Sequence, residues 1–226
     1  LIEGDRILAI APAADIDAAR ADSIINLQGR FLIPGLIEAH THVSGVPDEG
    51  FIYALSKGLT TLRDMGGDGR YLLGVQAAAR DGELAGPDVL FSAVMAGRCF
   101  MENDNRVKMA TPECFELGEA PWAQIVEAGS DLPEIIASAK ACGASGIKIY
   151  TGVPADLVAA LVIEAEKQGM QTWAHSFVEP ATASDVIAAG VKVISHGSGL
   201  LYPADWTLKS HGSMAFGPTG LESPVF

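Results

Sequence analysis

The stretch Phe31–Val43, FLIPGLIEAHTHV, decides how the chain is read. An apolar run, Phe31-Leu32-Ile33, meets Pro34-Gly35, and a second run, Leu36-Ile37, leads into His40-Thr41-His42. Leu36 to Val43 reads as a buried strand that ends in two histidines. Residues two apart in a strand project to one face, so His40 and His42 point the same way. Two imidazoles side by side at a strand end can form half of a metal site, although a chance His-x-His in a half-buried strand has the same pattern.

Outward from that stretch the chain has room for one sizeable core: 226 residues, 49% hydrophobic. A formal net charge of −13 argues against nucleic acid and anionic membrane surfaces as partners, since both call for a basic face. The three cysteines, Cys99, Cys114 and Cys142, are far apart and form no Cys-x-x-Cys. They read as free, buried thiols in a reducing compartment, and a cytoplasmic location is expected. No apolar run reaches the ~18 residues of a membrane span, and no signal peptide is visible. The opening on Leu1 reads as mid-strand, which leaves the true N-terminus open.

Residues 1–30 read as part of a small β unit. Leu1–Ile10 is a hairpin turning at Gly4-Asp5, and Ile24–Leu27 is a further short strand closed by Gln28-Gly29. From Leu36 strand and helix alternate. Strands are expected at 36–43, 60–65, 89–95, 147–150, 171–177 and 191–196, with helices at 51–57, 71–80, 132–142, after Pro154, and at 180–189. Residues 96–129 read as long and irregular, and such a connection is usually functional or mobile. The tail offers a weak helix near 204–209 and a weak strand near 214–216. Strands separated by helices indicate parallel pairing and an α/β fold. A (β/α)₈ barrel places its chemistry at the C-terminal ends of the strands, where the polar residues of this chain lie. The alternative, a doubly wound open sheet, lacks its Gly-x-Gly-x-x-Gly fingerprint after the first strand.

Four of the five histidines, His40, His42, His175 and His196, end strands. One alone reads as a hydrogen-bonded core residue; four at one mouth would crowd, and a metal cluster satisfies them together. Lys148, between Ile147 and Ile149, faces the barrel axis if the isoleucines face the helices. Burial lowers the pKa of such an amine. It could pair with an inward carboxylate, send its head to the rim, or react as the neutral amine with carbon dioxide to give a carbamate able to bridge two divalent ions. Tyr150 shares its side of the strand and could meet a substrate oxygen. Arg63 and Asp64 read as a structural ion pair or turn contact, Arg98, Arg106 and Lys108 as solvated loop cations that could meet an anionic substrate, and His211 as exposed. Ser176 and Ser198 lack the Gly-x-Ser-x-Gly elbow of a nucleophile.

These residues carry a resemblance. GRFLIPGLIEAHTHV, GLTTLRDMGG, GASGIKIYTG, QTWAHSF and VISHGSG, in that order over Leu1 to Gly199, resemble the amidohydrolase superfamily, and within it the imidazolonepropionase-like group that includes metal-dependent prolidases. The resemblance implies a (β/α)₈ barrel over 31–226, a composite small β domain to which 1–30 contributes, and two divalent metal ions, zinc in the first instance. It assigns His40, His42, His175 and His196 as ligands and a bridging carbamate on Lys148. It also implies hydrolysis of an amide-type C–N bond in a dipeptide, N-acyl amino acid or cyclic amide by a metal-activated hydroxide. The partner expected is a small-molecule substrate, and a homo-oligomer is left open. A lactonase, a phosphotriesterase or a non-catalytic relative are the alternatives. The sequence departs from the pattern in two places. Glu179 lies four residues after His175, so the deaminase branch's His-x-x-Glu is not matched. The family's eighth-strand aspartate, a ligand and proton shuttle, has no counterpart: Asp205 reads as part of a loop entering a helix. The barrel is therefore expected to lack its last βα unit or units, and the 226-residue chain to catalyse poorly.

Overall fold

A computed structural model describes residues 1–200 apart from Asp5, Pro112, Ser198 and Gly199. Asp205, His211, the weak tail elements, Ser198 and the Asp5 half of the first turn lie outside the described residues. Two compact units are present, Leu1–Pro34 and the chain from Gly35 onward.

In the first unit, β1 (Ile2–Glu3) and β2 (Arg6–Ile7) form an antiparallel hairpin. Two single-turn 3₁₀ segments follow at Ala13–Asp15 and Ala18–Arg20, the second capped by the Asp17 carboxylate accepting from the Ala19 N–H. Residues 24–27, expected as a strand, are not one. Ile24 and Ile25 are exposed, and without a partner strand among the described residues this short segment has no ladder to join.

The second unit is a parallel sheet of six principal strands in chain order: β3 (Leu36–Thr41), β4 (Leu59–Asp64), β5 (Asp88–Ala96), β8 (Gly146–Ile149), β9 (Gln171–His175) and β10 (Val193–Ser195). Each pairs in parallel with the next, as βαβ connections require. The helices are α1 (Asp48–Ser56), α2 (Gly69–Arg80), α5 (Leu132–Ala141), α6 (Ala155–Lys167) and α7 (Ala183–Ala188). Their starts follow local chemistry. Asp68 and Asp131 cap α2 and α5 by accepting from the N–H groups of Arg70 and Glu134, and Thr182 with Asp185 forms a capping box on α7. Pro154 sits at the N-cap of α6, one position before the first turn, and Val158, Leu161, Val162 and Ala165 make its buried stripe. All four residues of β8 are buried, the central position of a parallel strand covered on both faces. Among the described residues no helix is long and apolar enough to cross a membrane.

Three expectations need correction. β3 is not buried: Leu36 is 49% and Ile37 67% exposed, because among the described residues β3 ends the strand order and has a strand partner, β4, on one side only. Residues 96–129 are not irregular throughout. They form α3 (Arg98–Asn103), α4 (Asn105–Ala110) and an antiparallel pair, β6 (Glu119–Ala120) with β7 (Ala123–Ile125). β7 pairs with Val94–Ala96, on the stretch of β5 beyond Phe91 where β4 has ended. The thiols are free but not buried: Cys99 and Cys114 are exposed and Cys142 is half-buried.

The sheet is curled, and the histidines measure it. Five interstrand spacings of ~4.8 Å would hold β3 and β10 about 24 Å apart in a flat sheet. Yet the ring of His40 at the end of β3 lies 4.9 Å, centroid to centroid, from that of His196 just after β10. Six consecutive strands thus wrap part-way round an axis, as an incomplete (β/α)₈ barrel, and bring their C-terminal ends together.

Candidate functional site

The mouth formed by those strand ends gathers most of the chain's chemistry. His175 lies 4.6 Å from His196, His40 is 5.6 Å from His42, and the Tyr150 ring is 4.3 Å from His175. Of the sequence-predicted residues, His40, His42, His175, His196, Lys148 and Tyr150 share one neighbourhood, whereas Arg98 does not join it.

Two of the histidines arrive by routes the alternation rule does not supply. Ser195, not His196, is paired with His175 across β10 and β9. Extended backbone would therefore send the His196 ring to the opposite face. Instead His196 takes φ 59°, the left-handed region, and its ring turns into the mouth. The Ser176 hydroxyl donates to the His196 carbonyl at 2.8 Å and pins that conformation. His42 lies one residue beyond β3. Its loop is held by Asp64, whose buried carboxylate accepts from the N–H groups of Val43 at 2.6 Å and Gly66 at 2.8 Å. Burial raises the Asp64 pKa, against the opposing pull of those two N–H bonds. With its proton on Nδ1, His42 donates to the Gly66 carbonyl at 3.3 Å and leaves Nε2 outward as a lone-pair donor. Gly66, at φ 142°, could not be another residue: a Cβ there would lie 2.6 Å from Val94 Cγ2.

Lys148 is wholly buried, and its Nζ has no hydrogen-bond partner among the described residues. Neither an ion pair with an inward carboxylate nor a head at the rim accounts for it. Its amine sits 5.9 Å from the Tyr150 ring centre. Burial, and next the charge of Arg63, push its pKa down to about 7, so a large neutral fraction exists at physiological pH. Arg63 makes no ion pair with Asp64. Its Nε donates to the Ala39 carbonyl at 2.8 Å and its guanidinium lies over the Trp173 ring at 4.6 Å. Burial, then the charge of Lys148, lowers His40 to about 4 and His175 to about 2, and lowers His196 as well. These rings are therefore neutral at pH 7, the form in which imidazole ligates a cation.

The donor set fits a metal centre in kind: neutral imidazoles around an unpartnered buried amine, which as a carbamate would supply the anionic oxygens the histidines lack. Among the described residues no three His, Cys, Asp or Glu side chains already form a closed ligand set, so the donors are gathered but not clasped. The Tyr150 hydroxyl donates to the Met65 carbonyl at 2.8 Å, and burial raises its pKa, so any bond to a substrate has to share or replace that one.

Sequence reasoning left one part of the site without shape. A small pocket of about 30 Å³ opens beside the histidines, lined by His42 and Tyr150 together with Phe100, Asp104, Arg106 and Val107 of the α3–α4 segment. The signal was present in NDNRV at 103–107, an Asp capping a short helix, but its place above the mouth depends on tertiary packing: the Trp122 indole donates to the Ala110 carbonyl at 2.8 Å and ties α4 to the β6–β7 pair.

A family model described as the amidohydrolase family matches residues 31–213. Among solved structures the chain is similar to a Xaa-Pro dipeptidase with methionine bound in its active site, at 22% identity and TM-score 0.56, over 73% of this chain and 48% of that one. It is similar to a bottromycin amidohydrolase at 22% identity and TM-score 0.55, over 76% and 35%. It is similar to a molinate hydrolase at 14% identity and TM-score 0.51, over 71% and 45%. At such identities the likeness is one of fold. The chain spans about half or less of the length of these structures. A search of curated proteins gives no match.

Proposed function

The chain belongs to the amidohydrolase family, and from that premise we propose that it carries the metal-holding half of a hydrolase acting on amide-type C–N bonds. The observation that carries this reading is the unpartnered, buried Lys148 amine among His40, His175 and His196. A buried ammonium with no counter-charge is costly; a neutral amine that adds carbon dioxide, releasing one proton, becomes an anion with two oxygens for the ions to share. His40, His42, His175 and His196 would hold two divalent ions, zinc in the first instance, with the Lys148 carbamate between them. When bound, the ions activate water and polarise the scissile carbonyl.

The chain's own residues set the conditions for that chemistry. His42 keeps its proton on Nδ1 against Gly66 and offers Nε2. The Ser176 bond to His196 and the Asp64 bonds to Val43 and Gly66 hold the two ligands that lie beyond strand ends. Phe100 packs 5.1 Å from Tyr150 and puts an apolar ring on that side of the mouth. Two of the structurally similar proteins, a Xaa-Pro dipeptidase and a bottromycin amidohydrolase, support an amide rather than a lactone or phosphotriester as the bond attacked.

The test is metal binding with a chemical signature. Purified chain is titrated with zinc, and ¹³C NMR is recorded after labelled bicarbonate. We expect close to two equivalents retained, a carbamate resonance that needs both zinc and Lys148, and loss of retention on His175→Ala. A chain that holds no zinc in competition with a weak chelator removes this reading.

A further inference from the structure

The geometry points to Arg106 as a specificity-determining residue that anchors a carboxylate on the substrate, so that the substrate class is an N-acylated amino acid or dipeptide with a free carboxylate near the scissile amide; this rests on the hydrolase reading above.

The sequence offers three loop cations, Arg98, Arg106 and Lys108, and the structure separates them. Arg98 is held by Glu127, at 2.6 Å, and by Glu102, away from the pocket lining. Lys108 does not line the pocket either. Arg106 does, in company with His42 and Tyr150.

Its orientation is fixed in advance. Asp104 caps α4 by accepting from the Arg106 N–H at 2.8 Å, and the same carboxylate accepts from the Arg106 Nε at 2.9 Å and from Nη2. One residue thus starts the helix and sets the plane of the guanidinium. Such a fork, already ordered, loses little freedom on meeting a second carboxylate, and its planar donors match carboxylate geometry. Apart from Asp104, which holds the guanidinium, and Gly66, the rest of the lining is apolar: Val94, Phe100, Val107, Ala110 and Ala123. An amino acid with an aliphatic side chain and a free carboxylate satisfies both features, and its acyl C–N bond then lies on the histidine side.

The surroundings favour an anion. In a protein of net charge −13, two cations, Arg63 and Arg106, lie near this mouth. The acids beside them, Asp64 and Asp104, already accept from backbone N–H groups or Arg106.

The experiment compares N-acetyl-leucine with N-acetyl-leucinamide, which differ only in the carboxylate, on the 226-residue chain with and without zinc, using saturation-transfer NMR and calorimetry. We expect the acid to bind at least ~10-fold more tightly than the amide, in keeping with a charge-assisted hydrogen-bonded pair. Arg106→Gln should abolish that preference. Arg106→Lys should retain part of it, and Arg98→Gln all of it. Thermal unfolding of each variant shows that the pocket is still folded. Equal affinity for acid and amide, absence of binding by either, or a preference that survives Arg106→Gln overturns the assignment. Failure of zinc retention with an intact Arg106-dependent preference defeats the hydrolase reading and leaves the anchor standing; zinc retention without the preference does the reverse.

Discussion

Lys148 sets the character of the site through what it lacks. In the metal-free chain its folded pKa, about 7, lies below its ordinary value of 10.5. Between those pH values the unfolded chain binds more protons than the folded one, so stability rises with pH across that window and is lost as pH falls through it. His40 and His175, lowered to about 4 and about 2 from 6.5, continue the loss below pH 6.5. Lys148→Met should therefore stabilise the metal-free chain at pH 7 by about 1–4 kcal/mol, the range seen when well-packed apolar groups replace buried ion pairs. It should also flatten the rise between pH 7 and 10, and remove the amine on which the proposed carbamate would form. Urea unfolding at a series of pH values checks both, and an unchanged slope would mean that Lys148 has a counter-charge. His196 offers a second residue-scale check. Its left-handed backbone, φ 59°, costs a side-chain-bearing residue but not glycine. His196→Gly should leave the metal-free chain at least as stable as His196→Ala, by about 0.5–1 kcal/mol, although both lose zinc. The histidine itself was legible in VISHGSG. Its twist was not, because strand periodicity assigns faces only while the backbone stays extended.

At the scale of elements, the strand–helix alternation was legible because each βα unit carries its own period and stop signals. Val158, Leu161, Val162 and Ala165 mark α6, and Gly169 follows its end at φ 74°. What periodicity could not place was the segment from Gly97 to Gly129. Its two helices are six residues each, too short for a stripe to register, and β7 is defined only by its partner β5. One contact fixes where this segment departs. Gly97 starts it against Gly152 in the loop after β8, and a Cβ on Gly97 would lie 2.2 Å from the Gly152 carbonyl oxygen, backbone that cannot rotate aside. Gly97→Ala should destabilise the chain by about 1–3 kcal/mol, as overpacking does, and should weaken acid binding by shifting α3 and α4. Gly74→Ala is the matched control: it lies within α2 with no atom within 4 Å of the added Cβ, and should stabilise by about 0.5–1 kcal/mol. Chemical denaturation of the two variants side by side decides the matter, and equal effects would mean that the Gly97 contact is soft.

At the scale of the curled sheet, the two proposed ligands furthest apart along the strand order, His40 and His196, sit at its two edges. Among the described residues β3 and β10 each have one neighbour, and the β3 edge shows Leu36 and Ile37 to solvent. The reading of Leu36–Val43 as buried failed for this reason: a run such as Leu36-Ile37 reports that a strand wants cover, and only the tertiary neighbour decides whether it has it. An exposed apolar edge is a template for pairing with another chain, so the 226-residue chain should associate as its concentration rises. Ile37→Lys, which places a charge on that edge, should shift the sedimentation profile toward monomer. Zinc acts on the same geometry from the other side. An ion shared by His40 and His196, as proposed, would join edge to edge and bind the curled state only, so it should raise Tm by an amount that grows with free zinc. The increase should vanish in His40→Ala and in His196→Ala alike, and should persist in Ile37→Lys, because curl and association are separate consequences of the same open edges. A zinc-dependent Tm increase that instead follows the oligomer, disappearing with Ile37→Lys, would place the bound ion between chains and not across the mouth of one.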